Sequence, residues 1–353
     1  MNKLNVLITG AGAPGIKGTL YSIKNNYDNR SINIIGTDMA DNVVGKYICD
    51  GFYKIPPASK TDEYLNTLLK ICNNEKIDVL IPQNTAELLI LSKNKYLFQD
   101  HNILIVVSNP KSLELANNKY YLLNRCKELN IPYPEYYLVD NITSLTEFAK
   151  SLGYPEKRVI IKPPLSNGLR GFRVLDSNIN LKHSFFNDKP TGIFTTLEDL
   201  KKILGDEFPS LLVTEYLPGD EYTVDVFRYN DIVKVIPRKR DLIKNGITFV
   251  GTAIEDDNIN EYCKLLSENI NLEYCFGFQF KLDEYGIPKI LECNPRVQGT
   301  MVLSTFAGGN IIYDSIKALL GETIPLSNIQ WETSIHRYWG GVGVCKNNKI
   351  IYL

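Results

Sequence analysis

Cys275-Phe-Gly-Phe-Gln-Phe-Lys-Leu-Asp-Glu-Tyr-Gly-Ile-Pro-Lys-Ile-Leu-Glu-Cys-Asn-Pro-Arg296 alternates side-chain character on either side of a turn, and its reading governs the rest of the chain. Residues two apart on a strand share a face, so Phe276, Phe278, Phe280 and Leu282 point one way and Gly277, Gln279 and Lys281 the other. Asp283-Glu-Tyr-Gly286 supplies the turn of a hairpin, and on the return strand Glu292 and Asn294 share a face opposite Leu291 and Cys293. Gln279, Glu292 and Asn294 can then converge as three hard oxygen ligands, one of them charged. Such a set suits Mg²⁺ that still carries water and shares its other positions with phosphates. Arg296 follows just past the strand end, where a permanent cation can hold a phosphoryl or acyl-phosphate group in transit. Taken alone, the same residues also read as a solvated hairpin face, and Cys293 reads as packing.

The composition around this hairpin is that of a globular chain. It has 353 residues, 44% hydrophobic and 22% charged, enough for two or three domains, and a net charge of -1 that offers nothing to nucleic acid or an anionic membrane. Seven cysteines without a Cys-x-x-Cys pair point to reduced thiols and a cytoplasmic location. No signal peptide or membrane-spanning run is expected.

Residues 4 to about 108 alternate strand and helix as a doubly wound parallel sheet does, with strands apolar throughout. The expected order is strand Leu4–Ile8, a helix from Gly15, strand Ile32–Ile35, a helix from Thr61, and strands Val79–Ile81 and Ile103–Val107. The first turn, Gly10-Ala-Gly-Ala-Pro-Gly15, matches Gly-x-Gly-x-x-Gly, and Asp38 follows the second strand at a distance suited to a ribose contact. That pattern supports a dinucleotide enzyme, or simply a helix packed tightly against a strand. Ala40–Pro57 and Ile81–Glu87 read as loops at the open edge.

Beyond Asn109 the pattern changes. Leu113–Leu129 has helical period with Lys119 near its start, and Leu145–Leu152 is a second helix. Strand Arg158–Pro163 then carries Lys162 into Pro164-Leu-Ser-Asn-Gly-Leu-Arg-Gly171, followed by strand Phe172–Leu175. Glycines let such a loop wrap its N–H groups around phosphates, with Lys162 as the point charge. A flexible hairpin with a snorkelling lysine is the alternative. Residues 176–196, with His183 and Asn187-Asp-Lys-Pro190, read as a polar insertion or lid. A helix at Leu197–Leu204 leads to a strand–turn–strand at Leu211–Phe227 that places Glu221, Thr223 and Asp225 on one face. Strands Ile232–Pro237 and Ile247–Ile254 flank Arg238-Lys-Arg-Asp241; helices at Asp257–Asn271 and Ile311–Leu320 and a last hairpin at Ile335–Tyr352 complete the chain.

Lys119 at a helix start, Lys162 before the Gly-rich loop, Glu215-Tyr-Leu-Pro-Gly-Asp-Glu221, and Gln279 with Glu292-Cys-Asn-Pro-Arg296 resemble the ATP-grasp superfamily in order and spacing. Among its members, the synthetase halves of the carbamoyl-phosphate synthase large chain and stand-alone carboxylate–amine ligases are the most similar. The resemblance implies an α/β architecture: a doubly wound pre-ATP-grasp domain at 1–110, a small grasp lobe with the Gly-rich loop at 111–210, and a large lobe with the metal site at 211–353. It further implies that Lys119, Lys162, Ser166, Gly168 and Gly171 hold ATP phosphates. Glu215, Tyr216 and Leu217 would form the hinge whose backbone reads adenine, and Glu221 would accept from ribose hydroxyls. Gln279, Glu292 and Asn294 would bind Mg²⁺, with Mn²⁺ as a substitute, while Arg240, Arg296 and Asn294 would serve the transferred phosphoryl. Arg238-Lys-Arg240 departs from the synthase halves, whose chain is glycine-rich there.

The implied activity joins a small-molecule carboxylate to an amine through an acyl phosphate, releasing ADP. A carboxylate is inert towards an amine at neutral pH, so phosphorylation must supply the leaving group, and cations and backbone N–H groups are what that step demands. The carboxylate is expected between Gly12–Ala13 and Arg296, at the positive end of the first helix. The expected partners are these small molecules and a second copy in a homodimer, with neither nucleic acid nor membrane. Phosphorylation of another small acid in the manner of carbamoyl-phosphate synthase, an NAD(P)-dependent oxidoreductase and a nucleotide-binding module without turnover remain as alternatives.

Overall fold

A computed structural model describes residues 3–166, 168–187, 192–347 and 349–352. Asn167 of the Gly-rich loop and Asp188, Lys189 and Pro190 of the polar insertion lie outside the described residues. The chain forms two compact units: residues 1–116, 221–279 and 293–353 make the first, and residues 117–220 and 280–292 the second.

The first unit begins with a five-stranded, all-parallel sheet in the order Gly51–Lys54, Ile32–Asp38, Leu4–Ile8, Val79–Ile81, Leu104–Ile105. Val6, Leu7 and Ile8 in its middle strand are sealed on both faces, which explains their unbroken apolar run. The helix Ile16–Lys24 packs one flank: Ile16, Leu20 and Ile23 share a core with Phe227, Ile236, Met301, Ile311 and Ile312. The stretch 40–57, expected as a loop, holds a short helix, Gly45–Ile48, and the edge strand Gly51–Lys54. Gly45 makes this fit, because a Cβ there would meet the Ala11 carbonyl oxygen at 2.4 Å.

The antiparallel sheet of six strands runs in the order Pro288–Asn294, Tyr274–Leu282, Glu221–Tyr229, Ile232–Lys244, Ile247–Ala253, Ser334–His336. The boundary of the two units passes through its first two strands. Phe276, Phe278 and Phe280 are fully buried on one face, as their parity requires. Arg238-Lys-Arg-Asp241, expected between strands, lies inside the continuous strand Ile232–Lys244. Asn245 and Gly246, both at positive φ, turn this long strand into the next, and the left-handed pair matches the twist of a tight hairpin. The last expected hairpin also differs. Ser334–His336 pairs with Ile247–Ala253, and Val342–Val344 pairs with Ile350–Tyr352. A short helix at Val302–Phe306 went unread in the sequence.

The second unit holds a five-stranded sheet in the order Tyr136–Asn141, Glu207–Glu215, Val159–Lys162, Arg173–Leu175, Phe194–Thr195. Helices Ile142–Ser151 and Leu197–Leu204 cover it, each capped at its start by a side-chain oxygen, Asn141 and Thr196. The single helix expected over 113–129 is two, Pro110–Asn117 and Lys119–Glu128. Asn118 breaks it by accepting the N–H groups of Tyr120 and Tyr121, which makes Lys119 the first residue of the new helix. The insertion 176–196 includes the helix Leu181–Asn187 and the short strand Phe194–Thr195. Among the described residues, no helix is long and apolar enough to cross a membrane.

Candidate active site

In the second unit the strand Val159–Lys162 delivers Lys162, 7% exposed, to the start of the Gly-rich loop. Gly168, Leu169 and Gly171 all have positive φ, and a Cβ on Gly171 would meet Pro163 Cγ at 2.6 Å. Glycine at 171 thus answers both a left-handed backbone and a close approach. Lys119 holds the base of this loop. Its N–H donates to the Pro164 carbonyl at 3.0 Å and its ammonium to the Ser166 carbonyl at 2.9 Å. The same ammonium lies 3.4 Å from Oε2 of Glu292. The structure therefore brings together Lys119, Ser166 and Glu292, which are far apart in sequence.

The segment expected as a hinge closes the strand Glu207–Glu215. The Glu215 carboxylate is paired with the Lys289 ammonium. Burial draws Lys289 down, but the hydrogen bond and charge of Glu215, with Asp283, outweigh it and leave the ammonium above its ordinary value. The Tyr216 ring has the Arg158 guanidinium 5.6 Å and the Lys281 ammonium 5.4 Å from its centroid, a cation–π arrangement. Leu217 is buried. Gly219 lies flat on Leu282, donating to its carbonyl at 3.0 Å, and a Cβ there would meet Leu282 Cβ at 2.6 Å.

The first unit holds the remaining residues. Glu221 and Arg240 are ion-paired; Arg240 also donates to Thr248 Oγ1 at 2.9 Å and the Gly246 carbonyl at 2.6 Å. In this structure its guanidinium is thus spent on its own hairpin. Arg238, 1% exposed, donates to Asp225 Oδ1 at 2.7 Å, and Ser304 donates to Asp225 Oδ2 at 2.5 Å. This buried trio was not singled out in the sequence; Asp225 between Val224 and Val226, and Arg238 directly after Ile236-Pro237, a charged residue set among apolar ones on each strand, were its available signal. Arg296 donates to Asn294 Oδ1 at 3.2 Å, Thr85 Oγ1 at 2.9 Å and the Val297 carbonyl at 2.9 Å. Gly277 leaves its face to Gln298, whose amide nitrogen would lie 1.3 Å from a Cβ at that position.

Gln279, Glu292 and Asn294 are all partly exposed, and Glu292 and Asn294 share a face of the strand Pro288–Asn294. Their donors are one carboxylate and two amide oxygens. Among the described residues no group of three or more His, Cys, Asp or Glu is poised for a softer or more highly charged ion. Cys293 is buried and turned away. The donor chemistry fits a hydrated Mg²⁺.

The Gly10–Gly15 turn is closed on itself. Asp38 accepts the Gly12 N–H at 2.8 Å and the Ala40 N–H at 2.9 Å, so its carboxylate already binds the turn where a ribose contact was expected. Ala13 N–H donates to the Gly10 carbonyl at 2.9 Å. A Cβ on Gly15 would lie 2.6 Å from Gly299 Cα, which explains this glycine by packing. Beneath the turn, Glu87 is 6% exposed and accepts from the Thr9 hydroxyl. Burial pushes its carboxyl up to about 7, with the Asp38 charge adding to the rise and the Thr9 and Asn84 hydrogen bonds opposing it.

Residues 207–338 match the family described as "ATP-grasp in the biosynthetic pathway with Ter operon", and residues 6–106 match the "PylC-like, N-terminal domain". No curated protein matches the chain. The structure is similar to Campylobacter jejuni biotin carboxylase in complex with a β,γ-ATP compound, with TM-score 0.66 at 18% identity over 91% of this chain and 72% of that one. It is also similar to N5-carboxyaminoimidazole synthetase from Staphylococcus aureus complexed with ADP, with TM-score 0.65 at 16% identity over 94% and 80%. The L-amino acid ligase of Bacillus licheniformis aligns with TM-score 0.64 at 12% identity over 90% and 74%.

Proposed function

We propose that this chain, whose residues 207–338 match an ATP-grasp family, is an ADP-forming ligase of that superfamily that joins a small-molecule carboxylate to an amine through an acyl phosphate. The observation that carries this reading is the cluster at the base of the Gly-rich loop. Lys119 and Lys162, each more than nine-tenths buried, stand there, and the Glu292 carboxylate lies against Lys119. Cations beside a loop whose glycines let its N–H groups wrap around an anion are what a polyphosphate ligand requires, and this speaks for one.

In this reading residues 1–110 form the front domain, 111–210 the small lobe and 211–353 the large lobe. Lys119, Lys162, Ser166, Gly168 and Gly171 hold the phosphates of ATP; Glu215, Tyr216 and Leu217 take the base, and Glu221 the ribose. Gln279, Glu292 and Asn294 hold Mg²⁺, which when bound neutralises phosphate charge. Arg296, with Asn294 beside it, stabilises the transferring phosphoryl and holds the acid near Gly12 and Ala13. Arg240 joins them only by exchanging its present bonds to Glu221, Thr248 and Gly246. The chain acts in the cytoplasm as a homodimer. The ADP and ATP complexes of similar structures favour the nucleotide.

The test is ADP release screened over pooled carboxylates and amines with Mg²⁺. Release that needs one acid and one amine together establishes the ligase; acid alone sufficing would make it a kinase of small acids. Thermal shift adds a control, since Mg-ATP should stabilise the protein and NADH should not. The reverse pattern would hand the Gly10–Gly15 turn to an oxidoreductase.

A further inference from the structure

We propose that Thr85 is a positioning residue that aims the Arg296 guanidinium at the transferring phosphoryl, an inference that rests on the function proposed above. Within the first unit Nε of Arg296 donates to Thr85 Oγ1 at 2.9 Å, across 211 residues of chain. Its other two nitrogens donate to the Val297 carbonyl at 2.9 Å and to Asn294 Oδ1 at 3.2 Å. A guanidinium is a rigid planar fork on a flexible stem, so bonds on different nitrogens fix both its place and its plane. Asn294 and Val297 belong to the same short segment as Arg296 and move with it. Of the three acceptors, Thr85 is the one that comes from elsewhere in the chain. Capping its own helix does not fall to Thr85, because Asn84 accepts the Ala86 N–H at 3.2 Å. The segment also stands beside the first turn, where a Cβ on Gly10 would lie 3.8 Å from Gln83 Cβ and 3.9 Å from Asn84 Cβ. Thr85 therefore ties Arg296 to the surroundings of Gly12 and Ala13, the place of the acid in the proposed function.

The chemistry of this anchor matters as much as its position. Elsewhere in the same unit Arg238 and Arg240 are held by the carboxylates of Asp225 and Glu221. A carboxylate fixes a guanidinium but offsets much of the field that a phosphoryl in transit would feel. A hydroxyl gives direction and leaves the charge. Asn294 has a second duty as a proposed metal ligand, and an amide oxygen turned to that duty no longer holds Arg296. The Thr85 bond and the Val297 carbonyl then carry the orientation. A group that already points the right way when charge moves stabilises the transition state without reorganising, and Thr85 supplies that alignment.

A threonine that merely packs against Arg296 would act through its methyl group, and three substitutions in the full chain separate the two roles. Thr85→Val keeps the shape and removes the hydroxyl; it should lower kcat for ADP release by roughly 10-fold with little change in Mg-ATP affinity. Thr85→Ser keeps the hydroxyl and should retain most of the rate. Thr85→Asp should lower kcat further than valine does, although a carboxylate in the first turn of a helix favours folding, so its rate falls while its Tm holds or rises. In an Arg296→Ala background, Thr85→Val should cost less than about 2-fold, because no guanidinium is left to aim. A readout without turnover is the Nε–H signal of Arg296 in a nitrogen-15 spectrum, assigned by its loss in Arg296→Ala. Its hydrogen exchange should quicken in Thr85→Val and not in Thr85→Ser. Equal rates in wild type and Thr85→Val, serine behaving as valine, or a valine effect undiminished in Arg296→Ala overturns the proposal and leaves the ligase reading standing. A wild-type chain that neither binds Mg-ATP nor releases ADP refutes both.

Discussion

Replacing Glu87 by glutamine should make the protein more stable at pH 8 than at pH 5 relative to wild type. Glu87 is the third residue of the helix Thr85–Lys93, whose cap is Asn84, and its carboxylate is 6% exposed beneath the first turn. Its carboxyl is pushed up from 4.5 to about 7, chiefly by burial. A folded-state value raised above the unfolded one means that the native chain holds the proton more tightly. The stability it contributes is complete below pH 4.5 and is lost as pH rises through about 7. At 1.36 kcal/mol per pKa unit the loss is about 3 kcal/mol. Glutamine keeps the acceptor oxygen for Thr9 and the reach back to the cap but has no proton to lose. The difference in Tm between variant and wild type should therefore grow by roughly 3–5 °C between pH 5 and pH 8, as read by differential scanning calorimetry. Parallel Tm curves across that range would refute the reasoning and show that water or rearrangement reaches the ionised carboxylate.

Three further outcomes follow from the same geometry. Glu292→Gln should abolish Mg²⁺-dependent ADP release with an unchanged circular dichroism spectrum; a normal rate in that variant removes Glu292 from the metal site. Arg296→Ala should lower kcat by roughly 10²-fold with little change in ATP affinity, because a group aimed at the transferring phosphoryl acts in the transition state. Equal loss of ATP binding, measured by calorimetry without the acid, would make it a ground-state phosphate clamp instead. Gly15→Ala should destabilise the chain by about 1–3 kcal/mol, since its methyl would stand 2.6 Å from Gly299 Cα and the backbone there must shift. Urea unfolding measures it, and an unchanged midpoint would show that the approach is softer than the structure indicates.

What the sequence by itself determined was whatever depends on neighbours along the chain. Strand parity sorted Phe276, Phe278 and Phe280 into the core, and the apolar run Val6-Leu-Ile8 announced a strand covered on both faces, because side-chain direction follows from backbone geometry alone. The resemblance to ATP-grasp proteins, which the match of residues 207–338 supports, could be read because four short motifs stood in order. The breaks were harder. Asn118 splits one periodic stretch into two helices through a cap that competes with helix continuation, a local choice that periodicity does not register. The edge strand Gly51–Lys54 exists because a neighbouring strand offers it hydrogen bonds. Tertiary structure alone decided how the charges are spent. Asp38 turns back onto Gly12, Arg240 onto Glu221, Lys289 onto Glu215, and Lys119 onto both Ser166 and Glu292. An ionised group in a partly dry interior takes the nearest counter-charge or dipole, and which one is nearest is a property of the folded chain rather than of its spelling.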